Sequence, residues 1–437
     1  LSGGIGTIVS LKFFRLSSGL NRLAVCAGLR YEIGVIKTGR VLFWLILFAP
    51  IIASAQIDPV RRDLVQFGYN QPVEGREPLA AYAYYYHNQP DFLRTNLTLR
   101  LAVAPVYLDS ELGFVQGLGP NTDFAIGIAG GGFADSYSEI HDGTYLPSES
   151  FDGNGAEISG SIYHLFNPGD MIPLNLVLRG TAHYSTYSRN DSTASGFQLP
   201  NDHGDYSVRT GLRWGGIEPT LYPPLAMELS VWYEGHLRSN PGPYGDGVVN
   251  GQLSSQSHLF WAEAALAYTL PDSQQSFYVR LTAGTSVDAD RFSAYRLGGF
   301  LPLVSEFPLS LPGYYFQEIS ARQFALLSGN YLLPLDKNQR WNFDLNASSA
   351  VVDYLPGETQ PCNSLSGVGG GILFRSHSDR LKIMLTYAYG IDAIRDNGRG
   401  AQNIGLLLQW DLHKTSGEKF NSSQPSNSRG WQWLLGN

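Results

Sequence analysis

Cysteine is almost missing. Cys26 and Cys362 are the chain's two, and Cys26 precedes a leader-like segment, so the exported part has no intrachain disulfide even in a compartment that would allow one. Charge is thin as well. Only 16% of residues carry it, with 30 basic against 38 acidic side chains, a balance that argues against a nucleic-acid partner. No Gly-rich stretch follows a strand and opens a helix, which removes support for nucleotide binding. Long apolar runs are missing with one exception, and the mean hydropathy is −0.12, which excludes a bundle of membrane-spanning helices. A membrane β-barrel is untouched by that argument, because its strands alternate and average to near-neutral hydropathy.

The exception is KTGRVLFWLILFAPIIASAQ. Lys37 and Arg40 stand before an apolar core from Val41 to Ile52, and Ala53-Ser54-Ala55 lies ahead of Gln56. This is the pattern of a secretory signal peptide over 35–55, cleaved after Ala55. Residues 1–34 then read as over-extended translation, since the first methionine is Met171. Removing 1–55 takes away six basic residues and one acidic, leaving 24 basic, 37 acidic and a net charge of −13.

What the chain has in quantity is glycine (49), tyrosine (25) and aromatic residues generally (13%), a composition that favours β structure. From Leu79 to Leu412 the pattern reads as about fourteen strands of membrane-crossing length, with twelve or sixteen still open. Several alternate cleanly. Tyr206, Val208, Thr210, Leu212 and Trp214 oppose Asp205, Ser207, Arg209, Gly211 and Arg213, while Met227, Leu229, Val231 and Tyr233 oppose Glu228, Ser230, Trp232 and Glu234. Tight connections at 167–171, 271–274, 336–340 and 377–379 fall on one side, and long ones at 134–153, 189–203, 240–254 and 288–320 on the other. Leu108–Asn121 is a misfit, too long for its side. The fold class expected is all-β, a transmembrane antiparallel barrel closed because strands in hydrocarbon must pair both edges. It places Arg100, Arg179, Arg209, Arg213, Arg280, Glu228, Glu234 and Glu263 in the lumen, since a mid-membrane Arg or Lys on the lipid face costs about 2 to 4 kcal/mol. Flanking the barrel, 56–78 reads as a short periplasmic segment and 413–437 as a flexible tail.

One stretch organises the rest. Between the alternating runs Ser276–Ala283 and Ala325–Leu333 lies RFSAYRLGGFLPLVSEFPLSLPGYYFQEIS, with too many breakers for a helix and too many aliphatic residues for a loop in water. It is expected to fold back onto the barrel.

Arg296, Leu297, Gly298 and Gly299, followed by Leu311, Gly313, Tyr314 and Glu318, resemble the inward-folded loop of the BamA/TamA-like outer-membrane superfamily of insertases and two-partner-secretion transporters. GVGGGILFRSHSDRLKIMLTYAYG, from Gly367 to Gly390, is similar to that family's penultimate hairpin. The resemblance implies sixteen strands, and an Arg-Gly-Tyr or Arg-Gly-Phe loop motif whose Arg reaches an acidic residue on the next strand. Here Pro312 stands at the Arg position, and Asp344 and Asn346 share the place of the acid, so the loop is expected to hold by packing and backbone bonds. The polar segment before Leu79 has about a third of the length of one periplasmic POTRA module, so the relative expected is one without them.

The function expected is that of a non-enzymatic outer-membrane barrel of a Gram-negative-type bacterium, touching outer-membrane lipid and aiding insertion or export of client proteins. A passive pore or structural barrel is the alternative. A lipid hydrolase is a third reading, resting on His183 and Ser185 on one face of a strand. No cofactor or metal is expected: His141 beside Asp142, and His203 near Asp202 and Asp205, sit in outer loops where hydrated polar residues are common.

Overall fold

The computed structural model describes residues 57–413, apart from 59, 77, 79, 169, 171, 217–224, 246–249, 271, 302–305, 359 and 396–397. The signal segment, the stretch before it and nearly all of the C-terminal tail lie outside the described residues.

Sixteen long strands form one closed antiparallel barrel. In chain order they are β1 (Arg62–Pro72), β2 (Ala80–Pro90), β3 (Leu97–Val103), β4 (Tyr107–Gly119), β5 (Thr122–Gly131), β6 (Asp152–Leu165), β7 (Leu174–Ser188) and β8 (His203–Gly216). There follow β9 (Leu225–Arg238), β10 (Gln256–Thr269), β11 (Ser276–Val287), β12 (Ile319–Pro334), β13 (Trp341–Tyr354), β14 (Ser364–Arg375), β15 (Leu381–Arg395) and β16 (Gly398–Asp411). Each pairs with its neighbours in sequence, and β1 closes on β16 in a register from Leu64↔Asp411 to Pro72↔Asn403. Two short ribbons, Ile140–His141 with Thr144–Tyr145 and Pro243–Gly245 with Asn250–Gln252, lie in the long loops.

The expected fourteen strands become sixteen at two identifiable places. Arg62–Pro72, read from sequence as a segment ahead of the barrel, is the strand that closes it, and the misfit Leu108–Asn121 is mostly β4. Both were hidden because polar residues interrupt their outward apolar rows, Asp63 and Gln71 around Val65, Phe67 and Tyr69 on β1 and Ser110 between Leu108 and Leu112 on β4. Gln66 and Asn70 on β1 are buried against Gln409 and Asn403 of β16, and Asp109 and Glu111 on β4 face Arg100.

The two faces of the wall sort by polarity. Outward positions are apolar and exposed, such as Ile128, Ile158, Val208, Val231, Val279, Leu327, Val351 and Leu385. Inward positions are polar and buried, such as Asn88, Ser161, Asn175, Ser230, Thr282, Asn342 and Thr386. This inverts a water-soluble sandwich and matches a strand set with lipid outside and a filled interior. Trp214, Trp341 and Trp410 lie on the outer face near strand ends and Tyr387 on that face in mid-strand, whereas Tyr86 is wholly buried and the Tyr84 hydroxyl bonds Gln66. No helix among the described residues is long and apolar enough to cross a membrane.

The long loops gather at one end, taken as the outer one because a barrel's longer loops lie there, and pack together as a dome. Tyr137, Phe151, Phe197, Tyr244 and Leu253 share an apolar cluster with Phe292 packed against it. Arg291 bonds Glu139 and lies 3.5 Å from Glu358, and Arg238 bonds Asp290. Burial pushes the Glu358 carboxyl above its ordinary range even though Arg291 pulls it down, and Glu139 holds the Arg291 guanidinium charged against its burial.

Candidate functional site

The chain leaves β11 at Val287 and returns at Ile319. On the way Tyr295–Leu297 adds three residues to the edge of β12, in register with Ala321–Ile319. The backbone then turns inward at Gly298 (φ +145) and Gly299 (φ +44), where a Cβ on Gly298 would stand 2.1 Å from the Tyr315 carbonyl oxygen. No side chain fits there.

Inside the barrel the loop touches two opposite walls. On the first wall, Glu306 accepts from Arg213 Nη2 at 2.5 Å and lies 3.9 Å from Arg209, both on β8. Phe307 stands edge-on to Trp232 of β9 and Trp261 of β10, centroids 5.2 and 5.4 Å away, and Trp232 and Trp261 stack at 6.0 Å. Leu301, ahead of them in the chain, is buried on the other side, with Leu332 of β12, Leu373 of β14, Met384 of β15 and Leu407 of β16.

The second wall is β14 to β16. Pro312 lies on Gly367, and Gly313 (φ +84) on Gly390, so closely that a Cβ on Gly313 would sit 1.9 Å from the Gly390 nitrogen. Asn403 of β16 donates to the Tyr314 carbonyl at 2.8 Å and to Asn70 of β1 at 2.9 Å, so the loop tip reaches the seam that closes the barrel. Leu297, Leu311 and Tyr314 are fully buried.

The expectation of a loop held without a charge is overturned, two strands further on than the sequence suggested. Glu318 takes a two-pronged bond from Arg395 of β15, Nη1 to Oε1 at 2.8 Å and Nη2 to Oε2 at 3.0 Å, and both side chains are buried. Glu318 also accepts the Tyr315 N–H at 2.7 Å, and the Arg395 guanidinium lies 3.6 Å over the Tyr315 ring. The acid is on the loop and the cation on the wall, the reverse of the arrangement that the resemblance implied. At the place first considered, Asn346 donates to Asp344 at 2.9 Å on the wall itself. Arg296 faces away from the bore: its guanidinium donates to the Gln317 carbonyl and lies 5.0 Å over the Tyr137 ring in the outer dome. Reading the residues missed Glu306, Arg395 and Asn403, because a lone Glu and a strand-end Arg carry no spacing signal.

All eight charges assigned to the lumen lie on the inner face, and they pair across strands. Arg100 bonds Asp109 and lies 3.6 Å from Glu111, Arg179 bonds Glu157 at 2.9 Å, and Arg209 bonds Glu234 at 3.0 Å. Arg213 bonds Glu228 at 2.9 Å, and Arg280 lies 3.4 Å from Glu263. His183 turns Nε2 to Asp135 at 2.8 Å and Nδ1 towards Glu157 at 3.8 Å, so neither ring nitrogen is left to activate Ser185. The outer-loop His141 lies 3.4 Å from Asp142, and His203 Nδ1 meets the Asn201 carbonyl at 2.9 Å.

No family model matches the sequence, and no curated protein does either. Solved structures do match the fold. CdiB from Acinetobacter baumannii superimposes with a TM-score of 0.54 at 9% identity, over 80% of this chain and 60% of that one. CdiB from Escherichia coli gives 0.53 at 11%, over 79% and 63%, and BamA from Haemophilus ducreyi lacking POTRA domains 1–3 gives 0.50 at 11%, over 80% and 70%. The chain has the BamA and CdiB barrel fold. It spans about three fifths of the length of the A. baumannii CdiB chain that it matches. At these identities the likeness shows the fold alone.

Proposed function

We propose that this barrel resides in an outer membrane and helps other polypeptides into or across it, with no covalent chemistry of its own. The observation that carries the reading is the loop crossing the bore. A segment with charged and aromatic anchors on β8 to β10 and again on β14 to β16 blocks free diffusion, so a passive open pore is the poorer fit. A movable obstruction fixed by a few bonds suits a protein that must stay sealed until a client engages it. The fold shared with BamA and CdiB supports the same reading.

The test is reconstitution of the full chain and of a form lacking Ser293–Ser320 in liposomes. Insertion of an unfolded outer-membrane barrel into those liposomes is followed by protease protection, and ion conductance is recorded alongside. Faster insertion with the intact chain, lost on deletion while conductance rises, is expected. A barrel that neither speeds insertion nor conducts after the deletion overturns the active role.

A further inference from the structure

The outer wall over β5 to β10 is not a smooth cylinder. The pairs Ile126↔Gly160, Gly160↔Gly180, Gly180↔Val208, Val208↔Gly235 and Gly235↔His258 set six residues side by side in one row across six strands. They stand on the face that carries the exposed Ile158, Ile162, Leu178 and Val231, so the row opens to hydrocarbon. Half of it is glycine, and a shallow groove of about 800 Å³ runs along it.

The glycines differ in what they do. A Cβ on Gly235 would sit 2.4 Å from the Tyr233 hydroxyl, so this glycine lets Tyr233 fold up the wall, where its hydroxyl meets His258 Nδ1 at 3.0 Å. Gly160 and Gly180 have no such reason. Neither has a positive φ, and a Cβ on either would meet no atom within 4 Å. With no demand from the backbone or a neighbour, what the missing side chains supply is space.

The groove has a direction and two unlike ends. Ile126 is near the turn-side end of β5, which begins at Thr122, and His258 near the loop-side end of β10, which begins at Gln256. The row therefore descends from the outer rim into the apolar band. Five strand spacings of about 4.8 Å make it about 24 Å long. A strand tilt of about 40° turns that length into a depth of about 15 Å, one leaflet of a hydrocarbon core about 30 Å thick. Polar groups gather at the rim: Tyr206, Gln256 and His258 line the groove there, and Nε2 is the ring nitrogen that Tyr233 leaves over. Below them the outward side chains are those of Ala182, Val208, Ile158 and Ile126.

We propose that this groove holds one acyl chain of an outer-leaflet lipid, its carbonyl linkage at His258 and Gln256 and its tail running over Gly180 and Gly160 to Ile126. Polar groups at the rim and apolar walls beneath, over the depth of one leaflet, match an acyl chain under its ester or amide. A second barrel would need apolar contact along the whole row. The inference rests on the membrane residence proposed above and not on insertion or export.

The test uses the mature chain in nanodiscs of ether-linked phospholipid, which has no chain carbonyl. The probe is a trace of ester-linked phospholipid with a photoactivatable diazirine on its acyl chain, near the carbonyl in one preparation and at the chain end in another, and adducts are located by peptide mass spectrometry. Carbonyl-end adducts at His258 and Gln256 and chain-end adducts at Ile126 and Ile158 are expected, in excess over the exposed outward positions Val351 on β13 and Leu385 on β15. Gly180→Leu should abolish the excess and leave the adducts at Val351 and Leu385 unchanged. His258→Phe keeps a ring and removes the donor, so the excess at Gln256 should fall about fivefold, the worth of one net hydrogen bond. The depth pattern of the unsubstituted chain needs no variant and stands even if Gly180→Leu fails to insert. Adducts spread evenly around the barrel, or an excess that survives Gly180→Leu, overturn the proposal. So does a disulfide-linked dimer of the Gly180→Cys, Cys362→Ser form in place of lipid adducts, which would make a second copy the occupant. If Val351 and Leu385 also stay unlabelled, the barrel is not in hydrocarbon and the membrane reading falls with the groove.

Discussion

Arg395 is held by a carboxylate, an aromatic face and its own strand's Ile394 carbonyl. Removing one member of a buried pair leaves the other charged and unpaired, which costs about 3 to 5 kcal/mol. Arg395→Ala is therefore expected to undock the loop tip, measured as labelling from the outer side of a cysteine placed at Leu311. Glu318→Gln should do so less, because the amide oxygen still accepts the Tyr315 N–H. The double exchange Glu318→Arg with Arg395→Glu restores the charge pair but neither that backbone bond nor the ring contact, so it should rescue only in part. Equal labelling in all three variants and the parent sinks the anchor. Gly313→Ala places a methyl on the Gly390 backbone at a φ of +84, and the same assay should show the tip displaced with the ion pair intact. The sequence exposed half of this site. Gly298, Gly299, Gly313 and Glu318 were legible as a turn-rich, inward-bound segment. The partner was not, because Arg395 ends a strand far along the chain and nothing local distinguishes it from a solvated Arg.

At the level of elements, the strands whose outward apolar row is broken by polar residues are the ones a pattern reading loses. β8, β9, β11 and β12 alternate greasy and polar and were legible, whereas β1 sets Asp63 and Gln71, and β4 sets Ser110, into the outward row and both carry Gln, Asn, Asp or Glu inside. In a barrel these residues are satisfied by strands up to 343 residues away, as Gln66 is by Gln409, so no window around them contains the reason they are strands. The outer dome is a second element-scale feature, and its charges give a pH dependence. The folded dome raises the Glu358 carboxyl above its ordinary 4.5, through burial first. A group raised on folding binds its proton more tightly in the folded state, so its stabilising contribution is present at low pH and is lost as pH rises through the raised value. Protease resistance of the 355–363 loop is expected to increase modestly from pH 7 towards pH 5. Glu358→Gln should show the acidic-side resistance already at pH 7 and a flat profile between. A parent profile that falls towards pH 5 is the opposite result.

For the molecule as a whole, what matters is that one loop is tied to two walls whose middle strands, β9 and β15, are six strands apart in a barrel of sixteen. The anchor on β8 to β10 is a charge and a ring contact, Glu306 on Arg213 and Phe307 edge-on to the stacked Trp232 and Trp261. That on β14 to β16 is Glu318 on Arg395 with the tip on Gly367, Gly390 and Asn403. A tether fixed at both ends obstructs the bore as long as either end holds, because the freed half stays confined by the length of chain still attached. The two releases should therefore combine more than additively. Glu306→Ala with Phe307→Ala removes one of the two carboxylates on Arg213, which keeps Glu228, and a partly buried ring, each worth less than the ~3 to 5 kcal/mol of an unpaired buried charge or a fully buried ring. In planar bilayers that pair, or Arg395→Ala alone, should give brief and partial conductance steps, and the three changes together a long-lived open level. If either release alone opens the bore fully, the loop has a single effective anchor. If the three together leave it sealed, the closure belongs to the outer dome, where Tyr137, Phe151, Phe197 and Tyr244 pack over the mouth, and the loop is a filler beneath it.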